Sequence, residues 1–374
     1  MRAGLDDDLR ELFVRLARMA SPSGAEREVA DAVAAYLRDL GLEVTEDDTA
    51  AVTGCGAGNL LARVPGSGAR TIAFCAHLDT VPVDAAPVVL VEGDVARSDG
   101  RTVLGADDKA AVAVLLLLAR DLVSEPASAA VEFLFTVGEE IGLAGAGAFA
   151  IEALEAEAVF VLDSEGVPGT VIRGAPTAKA IAAEFRGVAA HAGIEPEKGR
   201  SAVVAAARAI AAMRLGRIDD ETTANIGLVE GGEAVNVVPG RCVLRGEARS
   251  RDDAKVAAQT AAMVEAINEA AASECVDVSV DVREHYRGYA HDAEGPLLRM
   301  VAAAAADAGL EARFIGGGGG SDSNVFNQRG LPAVTLGVGF ERVHSPHESI
   351  RLERLTELSA FVRALVRAAG ATAA

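Results

Sequence analysis

TIAFCAHLD, residues 71–79, is an apolar run that ends in a histidine and an aspartate. Two further apolar runs, Val131–Val137 and Val159–Leu162, also lead within two residues into acidic side chains. Runs without polar alternation are typical of parallel strands that are buried on both faces. Because ligands in open α/β sheets bind beyond the carboxyl ends of the strands, the residues that follow these runs are the first site candidates.

Helices and strands are predicted to alternate from the start of the chain to about residue 175. The predicted helices lie near 6–19, 24–40 and 108–122, and the strands near 43–46, 59–64, 71–76, 131–137 and 159–162. The same texture returns after residue 289, with segments near 294–308, 332–337 and 351–368. This alternation predicts an α/β fold, with a mostly parallel sheet and helices on both faces.

Between these two regions lies a segment with a different pattern. It contains four predicted strands, near 180–185, 223–229, 242–249 and 276–286, and two predicted helices, near 200–214 and 252–272. We expect a smaller α+β domain in which an antiparallel sheet packs on two helices. Because candidate site residues occur on both sides of it, this domain (residues 178–288) must interrupt a larger one (residues 1–177 and 289–374).

Composition argues against several classes of partner and location. The 374 residues carry a formal charge of −20, which disfavours nucleic acid and anionic membrane surfaces. The densest apolar run, Val112–Leu118, is too short to span a bilayer. Asp6, Asp7 and Asp8 stand where a signal peptide would carry basic residues. We therefore expect a cytoplasmic protein. The four cysteines form no CxxC pair, so we expect free thiols.

His77 and Asp79 are two positions apart, so their side chains project to the same side of an extended backbone. We expect His77 to bind a metal through one ring nitrogen while the Asp79 carboxylate accepts a hydrogen bond from the other. Taken alone, the pair could equally be a surface histidine beside a surface aspartate.

Glu139 and Glu140 are adjacent acids at the end of a buried run. Two carboxylates held together repel, and one pKa rises unless a cation neutralises them. If a metal binds one of them, the other can take a proton from water. An exposed turn with two solvated acids is the alternative.

Three further residues extend the candidate ligand set. Asp107 opens an apolar helix, where it could cap helix amides or bridge two cations. Asp163 directly follows a strand, and His344 lies in a loop after the last one, with His347 as a competitor. Carboxylate and imidazole ligands without thiolate suit Zn²⁺, Co²⁺ or Mn²⁺. Together these stretches, which are His77–Asp79, Asp107-Asp108, Glu139-Glu140, Asp163 and His344, indicate a dinuclear hydrolase site.

The motifs resemble those of the M20 metallopeptidases over nearly the whole chain. They are His77-Leu78-Asp79-Thr80-Val81, Gly105-Ala106-Asp107-Asp108-Lys109, Gly138-Glu139-Glu140 and His344-x-x-x-Glu348. The last spacing selects His344 over His347. Asp-Asp-Lys together with Asp163 is most similar to the peptidase T group of tripeptide aminopeptidases. The resemblance implies two divalent metal ions per chain, Zn²⁺ before Co²⁺ or Mn²⁺, and short peptides as substrates.

The resemblance also implies a role for each ligand. Asp107 would bridge the two metals, with His77 and Asp163 on separate metals. Glu140 would join one metal and His344 the other.

Two further roles and one backbone feature follow from the same resemblance. Glu139 would be the general base, and Asp79 would orient His77. A cis peptide bond is implied at Asp107-Asp108.

The inserted domain resembles the family's lid, which commonly forms a homodimer. The matching motifs are His191-Ala192-Gly193, Gly199-Arg200-Ser201-Ala202 and Asn236-Val237-Val238-Pro239. His191 would stabilise an oxyanion, often in the partner chain's site, and Asn236 joins it as a substrate-binding candidate.

Arg249 and the glycine run Gly316–Gly320 complete the implied substrate contacts. Arg249 would grip a substrate carboxylate through both oxygens, the alternative being a surface arginine that pairs with Glu247. Gly318 and Gly319 would contact the substrate, and the alternative is a flexible turn.

These features predict a tripeptide-type aminopeptidase that uses metal-activated water. A carboxypeptidase, a dipeptidase or an N-acyl-amino-acid deacylase with the same chemistry remains open. A metal-free binding protein on the same fold is disfavoured by the complete set of acids and histidines. A serine hydrolase is disfavoured because no GxSxG elbow occurs.

Overall fold

The computed structural model describes residues 2–371, with side chains from residue 7 onward. The chain divides into two compact units. Unit 1 runs to Gly174 and resumes over Ala290–Gly316 and from Ser321 onward, and unit 2 comprises Ala175–Tyr289 and Gly317–Gly320. The glycines of 317–320 thus belong to unit 2, whereas the predicted division left them in the larger domain.

Unit 1 is an α/β unit around one large sheet. Its helices are Arg2–Ala17, Arg27–Asp39, Thr49–Thr53, Ala106–Ser124, Ala144–Ala148, Pro296–Asp307, Asp322–Gln328 and Leu352–Ala371, with a 3₁₀ turn at Ile151–Ala153. The strands of the large sheet include Val44–Glu46, Leu60–Val64, Thr71–His77, Ala130–Thr136, Val159–Leu162, Thr170–Ala175, Arg313–Gly316 and Ala333–Leu336.

The three apolar runs of the sequence are adjacent parallel strands. Thr71–His77 pairs in parallel with Ala130–Thr136 on one side and with Val159–Leu162 on the other. Ala333–Leu336 continues the parallel set next to Val159–Leu162. Antiparallel strands, beginning with Leu60–Val64, flank this parallel centre. The predicted α/β class and its mostly parallel sheet are confirmed, and the carboxyl ends of the central strands meet at one edge.

The helix Ala106–Ser124 fills the centre of unit 1. Every residue of 110–119 is at most 1% exposed, because this helix packs against the strand Thr71–His77 and the helices Arg2–Ala17 and Leu352–Ala371. A helix that is apolar on all sides belongs in such a core. At its first turn the peptide bond Asp107-Asp108 is cis, as the resemblance implied.

A second, four-stranded antiparallel sheet of unit 1 was not predicted. Its strands are Val89–Glu92, Val95–Ser98, Phe340–Glu341 and Ser349–Arg351. The loop that carries His344 joins the last two strands. The Ser98 hydroxyl donates to the Pro346 carbonyl at 3.0 Å and ties this loop down. The strands have two to four residues, and the pairing of Ser349–Arg351 with Val95–Ser98 spans about 250 positions, so no local periodicity indicated this sheet.

Unit 2 is an α+β unit. Its antiparallel strands, in spatial order, are Gly216–Arg217, Thr222–Gly231, Arg241–Ser250, Thr177–Arg186 and Asp277–Tyr286. The helices Ala202–Ala212 and Asp253–Ser273 pack on this sheet. The prediction of four strands lacked the two-residue edge strand. Within residues 2–371, no helix is both long and apolar enough to cross a membrane.

Candidate metal centre

The edge of the parallel sheet brings His77 beside two carboxylates. His77 is the last residue of its strand, Asp163 follows the neighbouring strand, and Asp107 lies at the start of the central helix. The His77 Nε2 atom is 3.1 Å from Asp107 Oδ1 and 3.9 Å from Asp163 Oδ1. All three belong to unit 1, and His77 is only 2% exposed.

The second oxygen of Asp107 faces a different pair. His344 Nε2 lies 3.4 Å from Asp107 Oδ2 and 2.9 Å from Glu140 Oε1. Asp107 thus directs one carboxylate oxygen towards each histidine. A carboxylate with this disposition is suited to bridging two cations at the separation of about 3.5–4 Å seen in paired sites.

These distances favour a division of ligands different from the one that the resemblance implied. His77 and Asp163 were expected on separate metals, but they lie on the same side of Asp107, with His344 and Glu140 on the other. The reason is the sheet itself. The strands that carry His77 and Asp163 are direct parallel neighbours, so their carboxyl ends lie side by side.

The donor atoms fit divalent metal ions. One donor atom each from His77, Asp107 and Glu140 lie within 4.8 Å of one another. Nitrogen and oxygen donors bind Zn²⁺ at about 2.0–2.2 Å. His77 and Glu140, on opposite sides of Asp107, are therefore near enough for two ions that would share its carboxylate. Cys75 is not among them, because its thiol donates to the Asp322 carboxylate at 3.7 Å.

The electrostatics of the cluster also favour a cation. Burial raises the pKa of Glu139 well above its usual range, and the negative charge of Asp163 raises it further. Burial likewise raises the pKa of Asp163. At Asp107 burial acts in the same direction, but the His344 and His77 rings outweigh it and lower the pKa to about 2. Divalent cations would relieve the repulsion among these acids.

The acidic surroundings of His344 also favour a positive charge at this position. Hydrogen bonds to Asp107 and Glu140 raise the pKa of His344 to about 10 in the metal-free protein. The backbone of His344 is in the left-handed region, with φ of 59°, and the side chain is half exposed. A metal ion between these groups would take the place of the proton.

His77 is oriented by the backbone of Asp79 rather than by its carboxylate. The ring Nδ1 lies 3.0 Å from the Asp79 carbonyl oxygen and 3.5 Å from Asp79 Oδ1. A carbonyl only accepts, so Nδ1 carries a proton, and Nε2, on the side of Asp107, is the nitrogen that would bind a metal. The expected orienting residue is therefore in place, but a different atom of it makes the contact.

The Asp79 carboxylate is occupied elsewhere. Its Oδ1 accepts the backbone N–H of Glu139 at 3.0 Å, and Oδ2 accepts that of Glu140 at 3.2 Å. The Ser23 hydroxyl donates to Oδ2 at 2.6 Å. The side chain is fully buried, so it fixes the loop that bears both glutamates.

Two buried acids near the centre, Glu348 and Asp322, had no predicted role. Glu348 entered the sequence analysis only as the last residue of the His344-x-x-x-Glu348 motif. Its carboxylate accepts the N–H groups of Gly105 and Asp107 at 2.8 and 3.0 Å. Asp322 accepts the Thr136 hydroxyl at 2.6 Å, while its Oδ1 has no hydrogen-bond partner among the described residues. A signal for Asp322 was available, because it opens a helix directly after the glycine run.

The five substrate-binding candidates all lie in unit 2. His191 and Asn236 are exposed neighbours, joined by the bond from the Ala192 N–H to the Asn236 carbonyl at 2.9 Å. The His191 Nδ1 accepts the Gly193 N–H at 3.2 Å, which leaves the proton of a neutral ring on Nε2.

Arg249 makes the alternative contact that the sequence allowed. Its Nε and Nη2 atoms each lie 2.9 Å from an oxygen of Glu247. Gly318 and Gly319 are exposed, with open space where a side chain would begin. The Arg251 guanidinium holds the Gly317 carbonyl at 3.2 Å, which ties this run to unit 2. The substrate roles stay predictions.

Comparison with known proteins supports the same chemistry. Residues 73–368 match the profile of "Peptidase family M20/M25/M40". The Bacillus subtilis protein YqjE is 39% identical over 363 residues, which cover 96% of this chain and 98% of that one. The crystal structure of aminopeptidase PepT from Bacillus cereus is 40% identical, with a TM-score of 0.86 and coverage of 97% and 98% of the two chains. A Staphylococcus aureus tripeptidase is 33% identical, with a TM-score of 0.92 and coverage of 98% and 99%. The motifs, the fold and these similarities lead to one conclusion, that the chain belongs to peptidase family M20/M25/M40.

Proposed function

We propose that this peptidase is a di-metal aminopeptidase that removes the N-terminal residue of short peptides, with tripeptides as its preferred class. The observation that carries the proposal is the placement of Asp107, with one carboxylate oxygen towards His77 and the other towards His344. The similarity to an aminopeptidase and to a tripeptidase over nearly the full length supports the choice of substrate.

The ligand set divides about Asp107. His77 and Asp163 would hold one ion, and Glu140 and His344 the other, with Asp107 shared. The donors suit Zn²⁺ first and Co²⁺ or Mn²⁺ next. Such ions supply Lewis acidity, which lowers the pKa of the attacking water and polarises the scissile carbonyl.

Glu139 is the proposed proton acceptor. Its raised pKa brings the carboxylate closer to the proton affinity that a general base needs near neutral pH. It would accept the proton of the attacking water and return it to the leaving amine. Asp79 keeps Glu139 in place through the backbone rather than through the side chain, so the Glu139 carboxylate stays free for this transfer.

The substrate contacts are assigned to unit 2. His191 would donate from Nε2 to the developing oxyanion, and Asn236 beside it would bind the substrate backbone. Arg249 would exchange its bond with Glu247 for the substrate's free carboxylate, and Gly318 and Gly319 would let the peptide approach closely. We further propose a homodimer formed through unit 2 and a cytoplasmic location.

The test is mass spectrometry of peptides incubated with Zn²⁺-loaded or Co²⁺-loaded protein. Three substrates share one sequence: a free tripeptide, its N-acetylated form and its C-terminally amidated form. Release of the N-terminal residue from the free peptide and not from the N-acetylated one supports the aminopeptidase, and slower release from the amidated peptide is expected if Arg249 binds the free carboxylate. Release of the C-terminal residue identifies a carboxypeptidase, and loss of the acyl group alone identifies a deacylase. If all three stay intact with loaded protein, the proposal fails.

A further inference from the structure

The segment Ser21–Ser23 lies alongside Leu78–Thr80, next to the candidate metal ligand His77. The Thr80 N–H donates to the Ser21 carbonyl at 2.9 Å, and the Ser23 N–H donates to the Thr80 carbonyl at 3.1 Å. The buried Ser21 hydroxyl donates to the Leu78 carbonyl at 2.8 Å. These bonds dock the segment on the chain that carries Asp79.

One further bond from this segment reaches a charged group. The Ser23 hydroxyl donates to Asp79 Oδ2 at 2.6 Å. Hydrogen bonds from a hydroxyl to a carboxylate are short and about twice as strong as bonds between neutral groups. Asp79 is 0% exposed, so its carboxylate depends on protein donors, which are this hydroxyl and the N–H groups of Glu139 and Glu140.

The rotation of the Asp79 carboxylate matters because several groups compete for it. The His77 Nδ1 proton points to the Asp79 carbonyl at 3.0 Å, with the carboxylate at 3.5 Å. Without the serine donor, Oδ2 keeps only the longer bond from Glu140, at 3.2 Å. The carboxylate would then turn towards the imidazole and loosen its hold on the glutamate loop.

We propose that Ser23 is a positioning residue of the metal centre. Its hydroxyl sets the orientation of the Asp79 carboxylate, which keeps that carboxylate on the backbone of Glu139 and Glu140 and leaves the His77 ring on the Asp79 carbonyl. The effect on catalysis rests on the proposed function, whereas the effect on metal binding does not.

The alternative is that the Ser23 hydroxyl only anchors the N-terminal segment. Other contacts already hold that segment. Glu26 is buried, and its carboxylate accepts the N–H groups of Gly24 at 2.9 Å and Gly56 at 2.6 Å. Removing one hydroxyl therefore leaves the segment docked, so an effect of that change has to pass through Asp79.

Three variants separate these roles. Ser23→Ala removes the donor to Asp79, Ser23→Thr keeps a hydroxyl, and Ser21→Ala removes a hydroxyl of the same segment that donates to a neutral carbonyl. For each we would measure Co²⁺ affinity against a chromophoric chelator, the visible absorption spectrum of bound Co²⁺, the Tm of the metal-free protein, and kcat and KM for a tripeptide.

We expect Ser23→Ala to bind Co²⁺ about tenfold or more weakly and to shift its spectrum, the size of effect typical for groups that orient a metal ligand. Its kcat should fall while KM stays unchanged, and Ser23→Thr should restore all three values. Ser21→Ala should lower Tm and leave the Co²⁺ affinity and spectrum as in the wild type.

The proposal is overturned if Ser23→Ala matches the wild type in Co²⁺ affinity and spectrum, if Ser21→Ala has the same effect on them, or if Ser23→Thr fails to rescue. The Co²⁺ measurements need no turnover. A wild-type protein that binds Co²⁺ but cleaves no peptide would therefore refute the proposed function and still decide the role of Ser23.

Discussion

The carboxylate of Asp79 accepts the backbone N–H of Glu139 at 3.0 Å, across 60 positions of sequence. The same residue holds the His77 ring through its carbonyl oxygen. One buried residue thereby couples the orientation of a candidate metal ligand to the position of the candidate general base. A change at Asp79 should therefore affect metal affinity and turnover together, whereas a change at the Glu139 side chain should separate them.

Glu139→Gln tests that separation. The amide cannot take up a proton, but the backbone N–H that Asp79 accepts is unchanged. We expect unaltered metal content and Tm, with kcat lower by about 10²–10⁴-fold. Steady-state cleavage of a tripeptide, together with metal analysis of the same sample, checks this. Glu152→Gln, an exposed glutamate of unit 1, is the matched control. Turnover near the wild-type value in Glu139→Gln would remove the general-base role.

His344→Ala and His347→Ala form a second matched pair. His344 reaches Asp107 and Glu140, whereas His347 is an exposed residue three positions on. Removing the His344 ring takes one donor from one half of the centre and leaves the half with His77 intact. We expect the Co²⁺ stoichiometry of His344→Ala to fall from two towards one, and that of His347→Ala to stay at two. The reverse result would mean that the spacing argument chose the wrong histidine.

Glu348→Gln probes the support beneath Asp107. The Glu348 carboxylate accepts two backbone N–H groups, at Gly105 and Asp107, one at each oxygen. An amide offers only one oxygen, so its NH₂ group would face a backbone donor. We expect about 1–3 kcal/mol less stability in chemical denaturation, together with weaker metal binding. Glu353→Gln, at an exposed site on the following helix, is the control. Wild-type stability and metal affinity would contradict this role.

Asp322 provides a pH dependence that can be measured without metal. Burial raises the pKa of Asp322 to about 6, from an ordinary value of 3.8. Because the folded-state pKa is the higher one, its stabilising contribution is complete below pH 3.8 and is lost as pH rises through 6. The full difference is about 3 kcal/mol.

Asp322→Asn should remove this dependence while keeping an acceptor for the Thr136 hydroxyl. Denaturant unfolding of both metal-free proteins between about pH 4 and pH 7, the interval around the two pKa values, tests it. We expect the wild type to lose stability relative to the variant as pH rises. Parallel curves over this range would show that Asp322 does not titrate as described.

The sequence predicted those site residues that directly follow a recognisable apolar strand. The apolar runs before His77 and Asp163 were long enough to identify as buried strands, and parallel strands necessarily bring their carboxyl ends together. The geometry favours a division of ligands about Asp107 different from the implied one, because the division depends on which strands are neighbours, and no single apolar run shows that. Glu348 and Asp322 were missed for a related reason. Their partners, Asp107 and Thr136, are 241 and 186 positions away.

His191→Ala tests whether unit 2 serves the site of a partner chain. The exposed His191 ring can donate from Nε2, so its loss should lower kcat in either arrangement. If it acts across a dimer, mixing His191→Ala with Glu139→Gln should restore turnover, because a mixed dimer then holds one site with both groups intact. A mixture of His344→Ala and Glu139→Gln is the control, since both defects lie in unit 1 and every site keeps one of them. Native mass spectrometry would establish subunit exchange.

Exchange without any recovery in the first mixture would contradict a role of His191 in the partner's site. A low kcat of His191→Ala alone would then place His191 in the site of its own chain, and an unchanged kcat would place it outside catalysis.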